Sequence, residues 1–127
     1  MRSLPTIVIA LLAAPAFAKI FCFGGNGSSH RVSKEFALQS SKTFCRQYII
    51  DTNGQKGREF TVPYAESDTT SAFLSMISQD GHFTESACTK ASEDIINQCF
   101  GKRDGGKYTD DSGRLSFTFC SYAVGAQ

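Results

Sequence analysis

The sequence has no tryptophan, two histidines, three prolines and almost no excess of charge of either sign. Its 13 basic residues nearly balance its 12 acidic ones, which gives a formal net charge of +1 at pH 7. Proteins that bind nucleic acids or anionic membranes mainly through electrostatics carry a concentrated basic region. Because the charges here are scattered along the chain, we expect no nucleic-acid partner.

Long hydrophobic runs are also missing. The apolar run at residues 7–14 is too short for a membrane-spanning helix, which needs about 20 residues. Arg2 precedes this run and Ala16-Phe17-Ala18 follows it. A positive residue, a short apolar stretch and a small-x-small site, in that order, are typical of a secretory signal peptide. We therefore predict a signal peptide at residues 1–18 and a single secreted, extracellular domain at residues 19–127, with no membrane anchor.

The cysteines show no C-x-x-C pair and no clustering with histidine, so the sequence predicts no metal site and no cofactor. An exported chain instead uses its cysteines for disulfide bonds. Bridges matter for a domain of this size, which buries only roughly 60 to 70% of its unfolded surface. The number of cysteines is odd, so one thiol is either free or joins a second chain in a disulfide-linked dimer. The five candidates are Cys22, Cys45, Cys88, Cys99 and Cys120.

The hydrophobic pattern predicts six elements in the order strand, helix, strand, strand, helix, strand. Apolar residues at three- and four-residue steps indicate the helices, and alternation indicates the strands. The pattern at 71–78 fits a strand or a short helix, and its length favours a strand. The last strand is expected to form a hairpin with the segment around Lys107. The predicted strands lie at 19–23, 59–64, 71–78 and 115–122, and the predicted helices run from Ser29 or Ser33 to about Tyr48 and from Thr84 to Cys99.

This order predicts an α+β fold, the ferredoxin-like split βαβ plait β-α-β-β-α-β, with two helices on one face of an antiparallel, disulfide-stapled sheet. Cys88 and Cys99 lie about 16 Å apart on one predicted helix, too far for a disulfide. Antiparallel helices favour Cys45 with Cys88. The end of the second helix then lies near the first strand, which favours Cys22 with Cys99 and leaves Cys120 unpaired. The alternative, a Cys99–Cys120 bridge with Cys22 unpaired, stays open.

One stretch also carries a resemblance to a known group. The spacing of Cys88, Ala91, Ile95 and Cys99, followed by Gly105-Gly106-Lys107-Tyr108, is similar to that in small secreted fungal proteins with a killer-toxin KP6-like fold. The resemblance implies a ferredoxin-like sandwich and a virulence or toxin role without enzymatic activity. We therefore expect a fungal effector-like binding protein whose partner is a host or competitor protein or a cell-surface component.

Two segments are candidates for modification. Asn26-Gly27-Ser28 is a glycosylation sequon in a predicted surface loop. Lys102-Arg103 is a dibasic pair of the kind cut by processing proteases. A second interpretation, which we favour, is an exposed pair that complements the dipole of the preceding helix.

No arrangement of residues predicts catalysis, so we expect a protein that is not an enzyme. One alternative is a small secreted ribonuclease with His82, Glu85 and Arg114 as base, acid and phosphate clamp. The two-helix pattern argues against the ribonuclease fold. A second alternative is a cell-wall carbohydrate-binding module, which stacks exposed aromatic side chains on sugar rings. We expect the Phe and Tyr residues to lie in the core instead.

Overall fold

The computed structural model describes residues 19–25 and 30–120. The predicted signal peptide at 1–18 and the sequon at Asn26 lie outside these residues. No helix within them is long and apolar enough to cross a bilayer. The elements are β1 (Lys19–Phe23), α1 (Lys34–Thr52), β2 (Glu59–Ala65), β3 (Ser71–Ser78), α2 (Glu85–Cys99), β4 (Gly105–Asp110) and β5 (Gly113–Thr118).

The five strands form one sheet in the order β1-β4-β5-β3-β2, and every neighbouring pair is antiparallel. The predicted α+β class, with two helices on an antiparallel sheet, is confirmed. The segment around Lys107 forms β4, a strand beyond the six predicted elements, and pairs with β5 in the predicted hairpin. β2, which contains Pro63, is an edge strand, as expected for a residue that has no backbone N–H to donate.

Each helix begins at a side-chain cap. The hydroxyl of Ser33 accepts the backbone N–H of Phe36 at the start of α1, and that of Thr84 accepts the N–H of Ala87 at the start of α2. α1 ends where Asn53 adopts a left-handed conformation with φ of 55° and its N–H bonds back to the carbonyl of Ile49. These local signals explain why both helices could be located from sequence.

The segment 71–78 is a strand, which resolves the ambiguity in its pattern. Burial alternates along it, with Ala72, Leu74, Met76 and Ser78 buried and the residues between them partly exposed. A helix would have placed buried residues three and four positions apart. The period of two is therefore the pattern that the sheet requires.

Both helices pack on the same face of the sheet. Gly106 shows how close this packing is, because a Cβ atom there would stand 2.7 Å from Cys99 Sγ and 3.0 Å from Ile95 Cγ2. The side chains of alternate residues on the central strands point into the same core, and the two helices cover it. The largest buried side chains in the core are Phe44, Tyr48, Leu74, Met76, Phe83, Ile95, Ile96, Leu115, Phe117 and Phe119.

Two disulfides cross-link these layers. Cys45–Cys88 joins α1 to α2, and Cys22–Cys99 joins β1 to α2. These are the pairings that the antiparallel helices favoured, and the swap with Cys120 does not occur. Cys120 is a free, buried cysteine, so the predicted disulfide-linked dimer would require this thiol first to become exposed.

Candidate functional site on the open sheet face

No helix in the described part of the chain covers the second face of the sheet, which we call the open face. The strand register arranges its residues in three rows that cross all five strands, about 4.8 Å from strand to strand. We call them the charged row, the hydroxyl row and the aromatic row. From β1 to β2, the charged row is Lys19, Thr109, Arg114, Ile77 and Glu59; the hydroxyl row is Phe21, Lys107, Ser116, Ser75 and Thr61; and the aromatic row is Phe23, Gly105, Thr118, Phe73 and Pro63.

Polar side chains in the middle of this face are already oriented by hydrogen bonds. Ser75 Oγ donates to Glu59 Oε2 at 3.1 Å and lies 3.0 Å from Thr61 Oγ1. Ser116 stands next to Ser75 on the neighbouring strand. Hydroxyls both donate and accept hydrogen bonds, whereas a carboxylate only accepts them. The centre of the open face can therefore bind a ligand that carries several hydroxyl groups.

A shallow cavity of about 210 Å³ lies over this centre. Most pockets for drug-sized ligands enclose roughly 300–1,000 Å³, so this one suits a single small ring. The cavity places one carboxylate, two cations and two hydroxyls around an apolar side chain. Its lining residues are Glu59, Ser75, Ile77, Lys107, Arg114 and Ser116.

An exposed aromatic side chain lies beside the cavity. Phe21 on β1 is 62% exposed, and its register partner Lys107 lines the cavity. Ile50 on α1, which is 65% exposed, is a comparably exposed large hydrophobic residue on the helical side. The expectation that the aromatic residues lie in the core therefore fails at Phe21. Its position at an edge of the sheet leaves its ring without a neighbouring strand beyond β1.

A second cavity, of about 520 Å³, lies between α2 and the β1–β4 edge, and includes Asn97, Gln98 and Tyr108 in its lining. Several of its polar groups already have partners. Lys90 Nζ donates to both carboxylate oxygens of Asp94, at 2.8 and 2.9 Å, and the Tyr108 hydroxyl donates to Asp110. Asn97, Gln98 and Lys102 remain polar groups in this lining that could contact a ligand.

The residues of the ribonuclease alternative do not meet. Arg114 lies on the open face, whereas Glu85 begins α2 on the opposite side of the sheet, where its carboxylate is 3.9 Å from Arg46 Nε. His82 lies in the exposed loop between β3 and α2, and its backbone N–H donates to Asp80 Oδ1. The sheet therefore separates the proposed acid from the proposed phosphate clamp.

The dibasic pair lies at the C-terminal end of α2. Lys102 and Arg103 are exposed directly after α2, and the backbone N–H of each donates to the carbonyl of Cys99. Cleavage at this pair stays a prediction.

Within residues 19–25 and 30–120, no group of three or more His, Cys, Asp or Glu side chains is arranged to hold a metal ion.

The comparison with protein families identifies the family of this chain. The family model of the alpha-galactosyl binding lectins matches residues 32–123, which is most of the chain. The chain belongs to this lectin family. No curated protein matches the sequence. The comparisons do not support the killer-toxin KP6-like resemblance or a fungal origin, and they favour the carbohydrate-binding alternative.

A solved structure that this chain matches is the tandem DUF26 ectodomain of the Arabidopsis thaliana cysteine-rich receptor-like protein PDLP8. It is 16% identical to this lectin-family chain, with a TM-score of 0.43, over 78% of this chain and 48% of that one. This chain thus spans about half the length of that ectodomain.

Among the residues that line the open-face cavity, only Arg114 was a candidate site residue from sequence, and there it was the phosphate clamp of the ribonuclease alternative. The alternating polar residues of 114–118 were visible as a strand pattern. Their ligand-binding potential was not, because it depends on which strands lie beside one another. Lys107 and Ser75 are far apart in sequence, and each faces the cavity next to Ser116 only because β5 lies between β4 and β3.

Proposed function

We propose that this chain is an extracellular lectin that binds α-galactosyl groups on the open face of its sheet. The observation that carries the proposal is the family match over residues 32–123. The two disulfides support an extracellular setting, since such bonds persist in oxidising compartments. In this proposal the protein binds without catalysing a reaction.

The open face supplies the contacts that a sugar ring needs. Glu59 can accept hydrogen bonds from sugar hydroxyls, while Ser75 and Ser116 can both donate and accept them. Phe21 lies two strands from Ser116, about 10 Å away by the strand spacing. Its apolar ring can therefore stack on the C–H face of a sugar bound towards the β1 side of the cavity. The cavity is open enough for a terminal sugar to enter without a change in the strands.

The biological setting follows from this activity. In this proposal the secreted lectin binds glycans of a cell surface or cell wall, such as those of a host or a competing organism. The partner in the proposal is therefore a cell-surface component, one of the classes expected from the sequence. An effector role would be exerted through this glycan binding.

The test is titration of methyl α-galactoside into the mature protein, followed by calorimetry. We expect saturable binding that Phe21→Ala weakens about three- to tenfold, because an aromatic contact contributes about 0.5–1.5 kcal/mol beyond area burial. Ile50→Ala is the matched control, since it removes an equally exposed apolar side chain from the helical side, and it should bind as the wild type does.

Two results would count against the proposal in different ways. No binding of any α-galactoside by the folded wild type would refute the lectin function. Normal binding by Phe21→Ala and by Ser116→Val together would keep the function but place the site elsewhere, with the cavity beside α2 as the next surface to mutate.

A further inference from the structure

The positive charges of the open face are concentrated at one end. Lys19, Lys107 and Arg114 lie on β1, β4 and β5, whereas Glu59, the carboxylate in the three rows, lies on β2 at the opposite edge. We call the three cations the basic corner. The molecule as a whole has a net charge of only +1, so the basic corner is a local feature.

The strand register places these cations close together. Lys107 is the diagonal neighbour of Lys19 across the β1–β4 pair and of Arg114 across the β4–β5 pair. Diagonal neighbours on antiparallel strands lie about 7–8 Å apart, within reach of long side chains. The three side chains can therefore approach a single anionic group.

None of the three cations has an ion-pair or hydrogen-bond partner in the part of the chain that the structure describes. Glu59 lines the same cavity as Lys107 and Arg114, but its carboxylate accepts a hydrogen bond from Ser75 and forms no ion pair with either cation in the described residues. The other nearby carboxylates lie away from the open face. Asp110 points to the helical side and is bonded to Tyr108 and Ser112, and Asp111 lies in the exposed turn between β4 and β5. The ion pairs in those residues are Arg31–Asp104, Arg46–Glu85 and Lys90–Asp94.

We propose that the open face prefers α-galactosyl rings that carry an anionic substituent, with α-linked galacturonic acid as the ligand class. This inference rests on the proposed lectin function and adds the charge of the ligand. Oxidation of C6 leaves the ring hydroxyls in place and adds a carboxylate at one edge of the ring. Such a ring presents hydroxyls to Ser75, Ser116 and Glu59 and its carboxylate to the basic corner.

The neighbouring hydroxyl groups favour a saccharide over a lipid surface. Lys107 lies in the same row as Ser116, Ser75 and Thr61, so a group bound at the basic corner is continuous with a surface that hydrogen-bonds polyols. An arginine can also bind a carboxylate through two parallel hydrogen bonds. A bilayer surface would contact the charges but has no counterpart for this row of hydroxyl groups.

The experiment compares three ligands that differ only at C6: methyl α-galactoside, its uronic acid and its 6-sulfate. At low ionic strength we expect the uronic acid to bind about tenfold more tightly than the neutral sugar. A preference for the 6-sulfate alone would overturn galacturonic acid as the ligand class. The ratio should fall towards one near 1 M salt, where the Debye length is about 3 Å.

Variants locate the effect. In K107Q/R114Q the ratio of anionic to neutral affinity should fall to about one, while the control K42Q, an exposed lysine on α1, should keep the wild-type ratio. Circular dichroism confirms that each variant is folded. The ratio is the readout because it is independent of a general loss of sugar binding.

The outcomes separate this inference from the proposed function. A wild-type ratio of about one overturns the charge preference and leaves the lectin function intact, as does a ratio that K107Q/R114Q retains. Binding of phosphatidylserine vesicles with no preference among the three sugars would also overturn it, in favour of a lipid surface. Failure to bind all three sugars refutes the lectin function itself.

Discussion

Tyr108 and Asp110 form a hydrogen-bonded pair at the end of β4. The Tyr108 hydroxyl donates to Asp110 Oδ2 at 2.8 Å. Burial, and then this bond, raise the pKa of Tyr108 to about 12. Burial alone would raise the pKa of Asp110, but the hydrogen bonds from Tyr108, Ser112 and the Gly113 backbone N–H outweigh it and lower that pKa.

The shifted pKa values of Tyr108 and Asp110 predict that the free energy of unfolding falls at both high and low pH. Tyr108 has a raised pKa in the folded state, so its contribution is complete below about pH 10 and is lost as the pH rises towards 12. Asp110 has a lowered pKa, so its contribution is present above about pH 4 and is lost as the pH falls through its folded value. Urea unfolding as a function of pH should show both losses.

Tyr108→Phe is the test variant, with Tyr64→Phe as the control. The first should remove the component near pH 12 from the tyrosinate absorbance titration and raise the pKa of Asp110. In Tyr64→Phe the component near pH 12 should remain. If Tyr108→Phe retained that late component, the assignment to Tyr108 would be wrong.

The close packing of α2 on β4 requires a glycine at position 106. Because a Cβ atom there would stand 2.7 Å from Cys99 Sγ, we expect Gly106→Ala to lower the free energy of unfolding by about 1–3 kcal/mol, the usual cost of overpacking. Thr109→Ala changes the same strand on the open face and should cost less than about 0.5 kcal/mol. Equal urea midpoints for the two variants would contradict the close contact.

At the scale of elements, the Cys22–Cys99 bridge ties the edge strand β1 to α2. This strand pairs only with β4 in the described sheet, and it carries Phe21 and Lys19. The bridge closes a loop of 77 residues in sequence, which corresponds to about 4 kcal/mol in the chain-entropy account.

Removing this bridge should therefore loosen β1 and weaken sugar binding together. For Cys22→Ser/Cys99→Ser we expect a free energy of unfolding lower by about 4 kcal/mol and faster hydrogen exchange of the β1 amides. Cys120→Ala keeps both bridges and serves as the control. Unchanged protection of β1 in the double variant would show that strand pairing alone holds it.

The elements themselves were largely predictable from sequence. Caps at Ser33 and Thr84 and turn-forming glycines locate the helices and loops, because those signals act within a few residues. The segment 71–78 was ambiguous because helix and strand patterns overlap in short apolar runs. β4 was recognised only as a hairpin partner, since Gly105-Gly106 has little strand propensity of its own.

For the whole molecule, the secreted product provides the clearest test of the proposed export. We expect peptide mapping without reduction to show a chain that starts at Lys19, with Cys22–Cys99 and Cys45–Cys88 bridged and one thiol at Cys120. That thiol should react with a thiol reagent only after denaturation, because it is buried. A cell-retained chain that keeps residues 1–18, or a dimer linked through Cys120, would contradict this expectation.

The sequence alone determined the helices, most strands and the α+β class, and it excluded a Cys88–Cys99 bridge, because these follow from local periodicity and from the rigid length of a helix. The tertiary structure decided the strand order, the free state of Cys120 and the open face. Those features depend on long-range strand pairing, in which residues far apart in sequence become neighbours, and no local pattern specifies which pairs will meet.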